Sequence, residues 1–166
     1  MAIILKNGRG QIGGLLRQRV DGIESDGNIF IYHTWNIDNK SKSAQKREYN
    51  KFKDFVQEHH QDFIMFISTK SKTNSHYVKY KQMAESYLIQ HSENALVLQF
   101  PTLIGKGVIK DFKEKKVSPY GTMELMTLEN AVDKIIKSLD YSGLSKVLVF
   151  EGEKISANLI YNLVNI

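Results

Sequence analysis

The chain has 166 residues, of which 42% are hydrophobic and 25% are charged. These shares are close to globular averages, so they exclude disordered, coiled-coil and collagen-like classes, and we expect one folded domain over residues 1–166. Because the sequence contains no cysteine, it can form neither disulfides nor a thiolate metal site, and we expect no protein-held metal. The 23 Lys and Arg exceed the 18 Asp and Glu, which favours anionic partners without choosing among them.

The hydrophobic pattern predicts no membrane segment. No apolar run approaches the roughly 20 residues that a membrane helix needs, and the apolar start of the chain is too short for a signal peptide. We therefore expect a cytoplasmic protein.

Strands and helices alternate along the chain in the predicted structure. The predicted strands are Ala2–Leu5, Asn28–His33, Phe63–Ser68, Asn94–Phe100 and Lys146–Phe150. The predicted helices follow the glycine cluster at residues 8–14, cover Ser43–Glu58 and Tyr77–Ile89, and begin after Thr127 and after Ser156. Gly105–Gly121 is predicted to be a surface loop with a short helix. This alternation is typical of a mostly parallel sheet with helices on both faces.

A glycine motif lies between the first strand and the first helix. Residues Gly8–Gly13 fit G-x-G-x-x-G, where missing side chains let backbone N–H groups and a helix N-terminus approach a diphosphate. The candidate phosphate-binding residues are Gly8, Gly10, Gln11, Ile12 and Gly13. A tight turn without a ligand is the alternative interpretation.

A second motif is Y-x-x-x-K, with Tyr77 and Lys81 four residues apart. Residues at this spacing share a helix face, so the Lys81 ammonium can favour the ionised form of the Tyr77 phenol and prepare it for proton transfer. Such pairs also arise by chance on amphipathic helices, where tyrosine is usually a core or boundary residue.

The order of these features resembles the extended short-chain dehydrogenase/reductase family, which includes nucleotide-sugar epimerases, dehydratases and reductases. The resemblance rests on the glycine turn, a strand ending in Ser68-Thr69, the Tyr77/Lys81 pair and a strand ending in Phe100-Pro101. Further stretches are similar as well: Glu48-Tyr49-Asn50, Ala84-Glu85, Leu96–Gly107, Met126–Ile136 and Gly152–Asn162. The resemblance implies an α/β, Rossmann-like three-layer sandwich with about five strands in a mostly parallel sheet.

The resemblance also implies roles for individual residues. Tyr77 would be the acid/base, Lys81 would orient the nicotinamide ribose, Thr69 would hydrogen-bond the substrate oxygen, and Asn50 would support the proton relay. The cofactor would be NAD or NADP, held by Lys81 together with the glycine-motif residues, and the substrate would be a nucleotide-linked sugar.

The sequence departs from the family at several points. Asn7 and Gln99 stand where the family commonly has glycine and arginine. The family's second and third strands have no counterpart, and the carboxylate that usually holds the adenosine ribose is lost with them, since Asp21, Glu24 and Asp26 fall in a predicted loop. The first strand would then be an open edge, so we expect a second copy of the chain to cover it in a homo-oligomer.

Two functions from different classes remain. One is an NAD(P)-dependent oxidoreductase or epimerase; the other is a catalytically silent relative that keeps the fold for binding or assembly. Retention of Thr69, Tyr77 and Lys81 favours the enzyme. A nucleic-acid-binding function is less favoured, because no basic stripe alternates with aromatic residues on one strand pair.

Overall fold

The computed structural model describes residues 2–6, 10–105 and 107–166. Its strands are β1 (Ile3–Leu5), β2 (Ile29–Tyr32), β3 (Phe63–Thr69), β4 (Ala95–Phe100), β5 (Thr102–Leu103), β6 (Thr122–Met126), β7 (Lys146–Val149) and β8 (Glu153–Ser156). Its helices are α1 (Gln11–Val20), α2 (Lys42–His59), α3 (His76–His91), α4 (Val108–Lys113), α5 (Leu128–Lys137) and α6 (Ala157–Val164).

Hydroxyl caps fix where three of the helices begin. The side chains of Ser41, Ser75 and Thr127 each accept a hydrogen bond from the backbone N–H three residues later, at the starts of α2, α3 and α5. These bonds satisfy N–H groups that the first helical turn leaves without a partner. Ser156 precedes α6 without such a side-chain bond.

The main sheet has five parallel strands in the order β1-β2-β3-β4-β7. Helices α1 and α5 pack against each other beside one face, and α2 and α3 pack against each other beside the other. The three-layer, mostly parallel fold predicted from the sequence is therefore confirmed. The five predicted strands are all present, and their ends differ from the predicted ones by at most one residue.

Alternate residues of the strands pack into two separate apolar cores, one on each face of the sheet. Ile31, Met65 and Leu98 face the α1/α5 layer, whereas Tyr32, Phe66 and Val97 face the α2/α3 layer. Strands β3 and β4 are almost fully buried, as expected for inner strands that are covered on both faces. Their apolar sequences follow directly from this double coverage.

A second, smaller sheet was not predicted from the sequence. Strand β6 pairs in parallel with β5 and antiparallel with β8. Helices α4 and α6 pack beside it around a separate apolar cluster, formed by Phe112, Leu125, Ala157 and Ile160. The short helix predicted within Gly105–Gly121 is α4. This small sheet lies directly beyond β4, because only Pro101 separates β4 from β5.

Both edges of the main sheet lack a further strand within the described residues. Strand β1 is one edge, as predicted from the missing family strands. Strand β7 is the other, and there Val147 and Val149 are 42% and 51% exposed. No helix of the described part of the chain covers that side of β7.

Candidate active site at the carboxyl ends of the strands

Several of the predicted site residues lie near the carboxyl ends of the parallel strands. Thr69 is the last residue of β3, and α1 and α3 begin after the loops that leave β1 and β3. In open α/β sheets, ligands bind in the crevice outside these strand ends. The topology thus brings the glycine turn and the Tyr77 helix to the same edge of the sheet.

The glycine turn is described from Gly10 onward, and Gly8 lies outside the described residues. Gly10 is the N-cap of α1 with a φ of 110°, which side-chain-bearing residues rarely adopt. Among the described residues other than its chain neighbours, no heavy atom lies within 4 Å of the position that a Cβ at Gly10 would take. The first turn of α1 also has no acidic residue, and its N–H groups can therefore attract an anion.

The next residues of α1 have different surroundings. The Ile12 side chain is buried in the core between α1 and the sheet, and Gly13 is also buried. Only their backbone could contact a ligand. The Gln11 side chain lies against Gly105, in the segment after β5, so Gln11 links the turn to the second sheet.

Tyr77 and Lys81 lie together on the inner face of α3. The Lys81 Nζ atom is 5.3 Å from the centre of the Tyr77 ring. Tyr77 is half-buried, whereas Lys81 is only 6% exposed. The ammonium donates a hydrogen bond of 3.1 Å to the carbonyl of Ile67, two residues before the end of β3.

Aromatic rings complete the surroundings of the Lys81 ammonium. Its Nζ atom is 5.6 Å from the Phe66 ring centre and 5.8 Å from that of Trp35. These distances allow cation–π attraction. No salt bridge within the described residues pairs Lys81 with a carboxylate, so its described contacts are ring faces and a backbone carbonyl.

Thr69 and Asn50 are placed differently. Thr69 is half-buried, and its Oγ1 accepts a hydrogen bond of 3.1 Å from the Ser71 N–H. Asn50 is exposed on α2, and no hydrogen bond within the described residues joins it to Tyr77 or Lys81. The buried stripe of α2 passes through Gln45 and Phe52; at 3.6 residues per turn, Asn50 is rotated about 140° from Gln45. The structure therefore does not bring Asn50 to the Tyr77–Lys81 pair.

A buried carboxylate one helical turn beyond Lys81 ties α3 to the sheet. Glu85 Oε1 accepts a hydrogen bond from the Ser68 hydroxyl at the end of β3, and Oε2 accepts one of 2.9 Å from Gln99 Nε2 on β4. All three side chains are at most 9% exposed. Sequence reasoning noted Glu85 and Gln99 only as points of similarity and departure, not as partners.

His33 lies just after β2, on the side of α1. Its Nε2 atom is buried and has no hydrogen-bond partner within the described structure. Burial, followed by the positive charge of Arg17, lowers the pKa of His33 below its usual value. His33, which follows β2 at the carboxyl ends of the strands, is therefore a neutral imidazole whose Nε2 atom has no partner among the described residues.

A cluster of salt bridges around Lys70, which directly follows β3, joins the main sheet to the second sheet. Lys70 Nζ lies 2.9 Å from a Glu124 carboxylate oxygen on β6 and 3.0 Å from one of Glu151, and it donates to the Phe150 carbonyl. Glu124 also accepts a hydrogen bond from the Gly152 N–H. That bond, and then the one from Lys70, lowers the pKa of the Glu124 carboxyl.

Two acidic residues that follow the first helix lie at the amino ends of the strands, opposite the candidate site. Glu24 and Asp26 line a cavity of about 580 Å³ together with Ile3, Asp62 and Asp140. Ile3 begins β1, so this cavity is at the amino ends of the strands. Glu24 and Asp26 therefore lie away from the carboxyl ends of the strands, where the glycine turn and Tyr77 are found.

No family model matches the sequence, and no curated protein matches it. Several solved structures are similar. A dTDP-4-dehydrorhamnose reductase from Clostridium acetobutylicum aligns with 100% of this chain and 82% of its own, at 13% identity and a TM-score of 0.74. A UDP-glucose 4-epimerase from Thermotoga maritima, solved with UDP-glucose, aligns with 99% of this chain and 81% of its own, at 13% identity and a TM-score of 0.72. RMD from Pseudomonas aeruginosa, solved with NADPH, aligns with 98% of this chain and 83% of its own, at 11% identity and a TM-score of 0.72.

A parallel sheet between two helical layers, with candidate residues at the carboxyl ends of its strands, defines a Rossmann-like α/β fold. The solved structures of the UDP-glucose 4-epimerase and the dTDP-4-dehydrorhamnose reductase have a similar fold. At 10–14% identity, this similarity is one of fold. Within the described residues, no helix is both long and apolar enough to cross a membrane.

Proposed function

We propose that the chain is an NAD(P)-dependent oxidoreductase or epimerase of a nucleotide-linked sugar, with Tyr77 as acid/base. The observation that carries this proposal is the Lys81 ammonium, 5.3 Å from the Tyr77 ring centre and buried without a carboxylate partner among the described residues. In a poorly solvated site, a positive charge acts strongly on its neighbours. Lys81 is thus placed to stabilise the phenolate that forms when Tyr77 gives up a proton.

A bound NAD(P) would supply the hydride chemistry, and the chain would supply position and proton transfer. Tyr77 Oη would exchange a proton with a sugar hydroxyl or carbonyl, while Lys81 stays fixed by its bond to the Ile67 carbonyl. Thr69 would hydrogen-bond the same sugar oxygen. Asn50 would serve a relay only if bound ligand or water reached it on the outer face of α2.

The described residues fit such a cofactor in part. The φ of 110° at Gly10 and the N-terminus of α1, whose first turn has no acidic residue, suit a diphosphate. The unsatisfied Nε2 of His33 marks a polar position beside the same helix. The adenosine ribose has no carboxylate of the usual kind, because Glu24 and Asp26 lie at the other edge of the sheet.

A homo-oligomer is part of the proposal. Strand β1 is an uncovered edge in the described structure, and a second copy that covers it could help to rebuild the missing adenosine pocket. Light scattering at micromolar concentration should show a dimer or larger assembly, and a monomer would contradict this part. A cytoplasmic location, predicted from the sequence, is also retained.

Cofactor titration tests the proposal directly. Trp35 is the only tryptophan and its ring lies near Lys81, so NADH or NADPH binding should change its emission. Tyr77→Phe should abolish turnover of a nucleotide sugar while leaving cofactor affinity nearly unchanged. Tyr120→Phe is the matched control because Tyr120 is 94% exposed. A fully active Tyr77→Phe variant would exclude Tyr77 from the mechanism.

A catalytically silent binding or assembly protein is the second candidate. It is favoured because Glu24 and Asp26, the carboxylates after the first helix, lie at the amino ends of the strands and away from the candidate site. If neither NADH nor NADPH binds at millimolar concentration, this second candidate replaces the enzyme.

A further inference from the structure

The loop between β2 and α2 has a defined shape that its own polar groups maintain. The Asn36 side-chain oxygen accepts hydrogen bonds of 3.0 and 2.9 Å from the N–H groups of Asp38 and Asn39. Asn39 in turn accepts one from the Ser41 N–H, and Ser41 caps α2. The loop is therefore a sequence of hydrogen-bonded turns that leads directly into the helix.

Gln45 holds this loop from the inside. Its side chain is fully buried, with 0% exposure. Its Oε1 atom accepts a hydrogen bond of 2.7 Å from Trp35 Nε1, and its Nε2 atom donates to the carbonyls of Asn36 and Asn39 at 2.8 and 2.7 Å. Because both amide hydrogens and the oxygen are used, one side chain fixes three points of the loop.

The two ends of the loop reach the candidate site. Trp35 presents its ring 5.8 Å from Lys81 Nζ, and Lys40 Nζ lies 5.8 Å from the Tyr77 ring centre. Trp35 is itself buried against Phe52 and Phe66. The position of the Trp35 ring therefore depends on both the aromatic core and its bond to Gln45.

We propose that Gln45 is a positioning residue: by fixing the 35–40 loop, it keeps the Trp35 ring against Lys81 and so keeps the Lys81 ammonium beside Tyr77. The catalytic consequence of this inference rests on the proposed function. The effect of Gln45 on the positions of Trp35 and Lys81 does not depend on that function. A buried ammonium that lacks a carboxylate depends on every ring face and carbonyl around it. If the Trp35 ring shifts, Lys81 gains access to water and leaves its place beside the phenol.

The test compares Gln45→Met with Gln57→Met. Methionine nearly conserves the volume of glutamine but forms none of the three hydrogen bonds. Gln57 is an exposed glutamine on the same helix, and its hydrogen bond to the Tyr87 hydroxyl is exposed as well. Two measurements need no turnover: the emission spectrum of Trp35, and the rate at which an amine-reactive acylating reagent labels Lys81, followed by peptide mass spectrometry. Since one buried and two partly buried hydrogen bonds are lost, we expect Lys81 in Gln45→Met to be labelled about tenfold faster or more. Gln57→Met should behave as the wild type in both measurements.

A second pair of variants guards against misfolding of Gln45→Met. Asn36→Ala removes the turn inside the loop without a change in the core and should increase Lys81 labelling to a smaller extent. Trp35→Phe keeps an aromatic ring but removes the donor to Gln45 Oε1, so it should also increase Lys81 labelling, and unchanged labelling in a folded Trp35→Phe would contradict the proposal. Unchanged Trp35 emission and Lys81 labelling in a folded Gln45→Met, or no effect of Asn36→Ala if that variant alone folds, would overturn the proposal.

Turnover then separates this inference from the proposed function. In an active protein, Gln45→Met should lower kcat about tenfold with little change in the KM for the nucleotide sugar, because proton transfer and not binding is misaligned. If the wild type neither binds NAD(P)H nor turns over, the proposed function fails, and labelling and emission still decide the role of Gln45. An unchanged kcat in an active Gln45→Met contradicts the positioning role.

Discussion

Replacing Glu85 by glutamine should leave stability nearly unchanged, whereas replacing its partner Gln99 by methionine should lower it. Glu85 accepts hydrogen bonds from the Ser68 hydroxyl and from Gln99 Nε2. A glutamine at position 85 can accept from Gln99 with its oxygen and donate to the Ser68 hydroxyl with its amide, because a hydroxyl can act as donor or acceptor. In Gln99→Met, one oxygen of a buried carboxylate loses its donor and gains none.

The expected magnitudes follow from these contacts. A hydrogen bond to a charged group contributes about 1.5–3 kcal/mol, so Gln99→Met should lower Tm by about 3–12 °C for a protein of this size. Glu85→Gln should cost less than about 1 kcal/mol, since both bonds can be replaced. Glu85→Ala should cost about 3–5 kcal/mol, because it strands two buried polar groups and leaves a cavity.

Urea and thermal unfolding followed by circular dichroism measure the three variants. Gln90→Met is the matched control for Gln99→Met, since Gln90 is exposed on α3 and should tolerate the change. The reasoning is refuted if Glu85→Gln is as unstable as Glu85→Ala, or if Gln99→Met unfolds at the wild-type urea concentration.

Three further predictions concern other parts of the site edge. Gly10→Ala should cost about 1–3 kcal/mol in urea unfolding, because alanine is strained at a φ of 110°, while Gly14→Ala inside α1 should stabilise by up to about 1 kcal/mol; equal effects would contradict the strain. The pKa of His33 is lowered in the folded chain, so as pH falls His33 is protonated in the unfolded chain before it is protonated in the folded chain. The folded chain should therefore lose stability as pH falls below about 6.5. His33→Gln should weaken this loss between about pH 7.5 and 5.5, and an unaltered pH dependence of the urea midpoint would count against it. Lys70→Met should speed amide hydrogen exchange in β6 and β8 much more than in β3, since Lys70 ties the second sheet to β3; uniform exchange would show that the cluster has no local role.

Much of the main sheet was predictable because its strands are buried on both faces. Phe63–Ile67 and Ala95–Leu98 are continuous apolar runs within these strands, and such runs between amphipathic helices have few other structural solutions. The second sheet was not predictable in this way. Strand β6 is half-exposed and β8 is mostly exposed, and they are held by pairing with each other across roughly 30 residues, which local periodicity does not register.

The candidate site shows the same division. The Tyr77–Lys81 contact was predictable, since it needs only helical spacing. The role of Gln45 was not predictable, because its side chain contacts three points of a loop whose path is set by tertiary packing. Asn50 was assigned from a resemblance, but the phase of α2 is fixed by Phe52, Phe55 and Val56 in the core, and that phase turns Asn50 outward.

The position of β7 in the sheet has a consequence for synthesis. Strand β4 is an inner strand of the finished sheet, but its partner β7 comes roughly 45 residues later in the chain. At a ribosomal speed of about 5–20 residues per second, the apolar β4 has an unpaired side for about 2–9 s. We therefore expect the nascent chain to depend on chaperones during this interval, and expression at lowered temperature to raise the yield of folded protein.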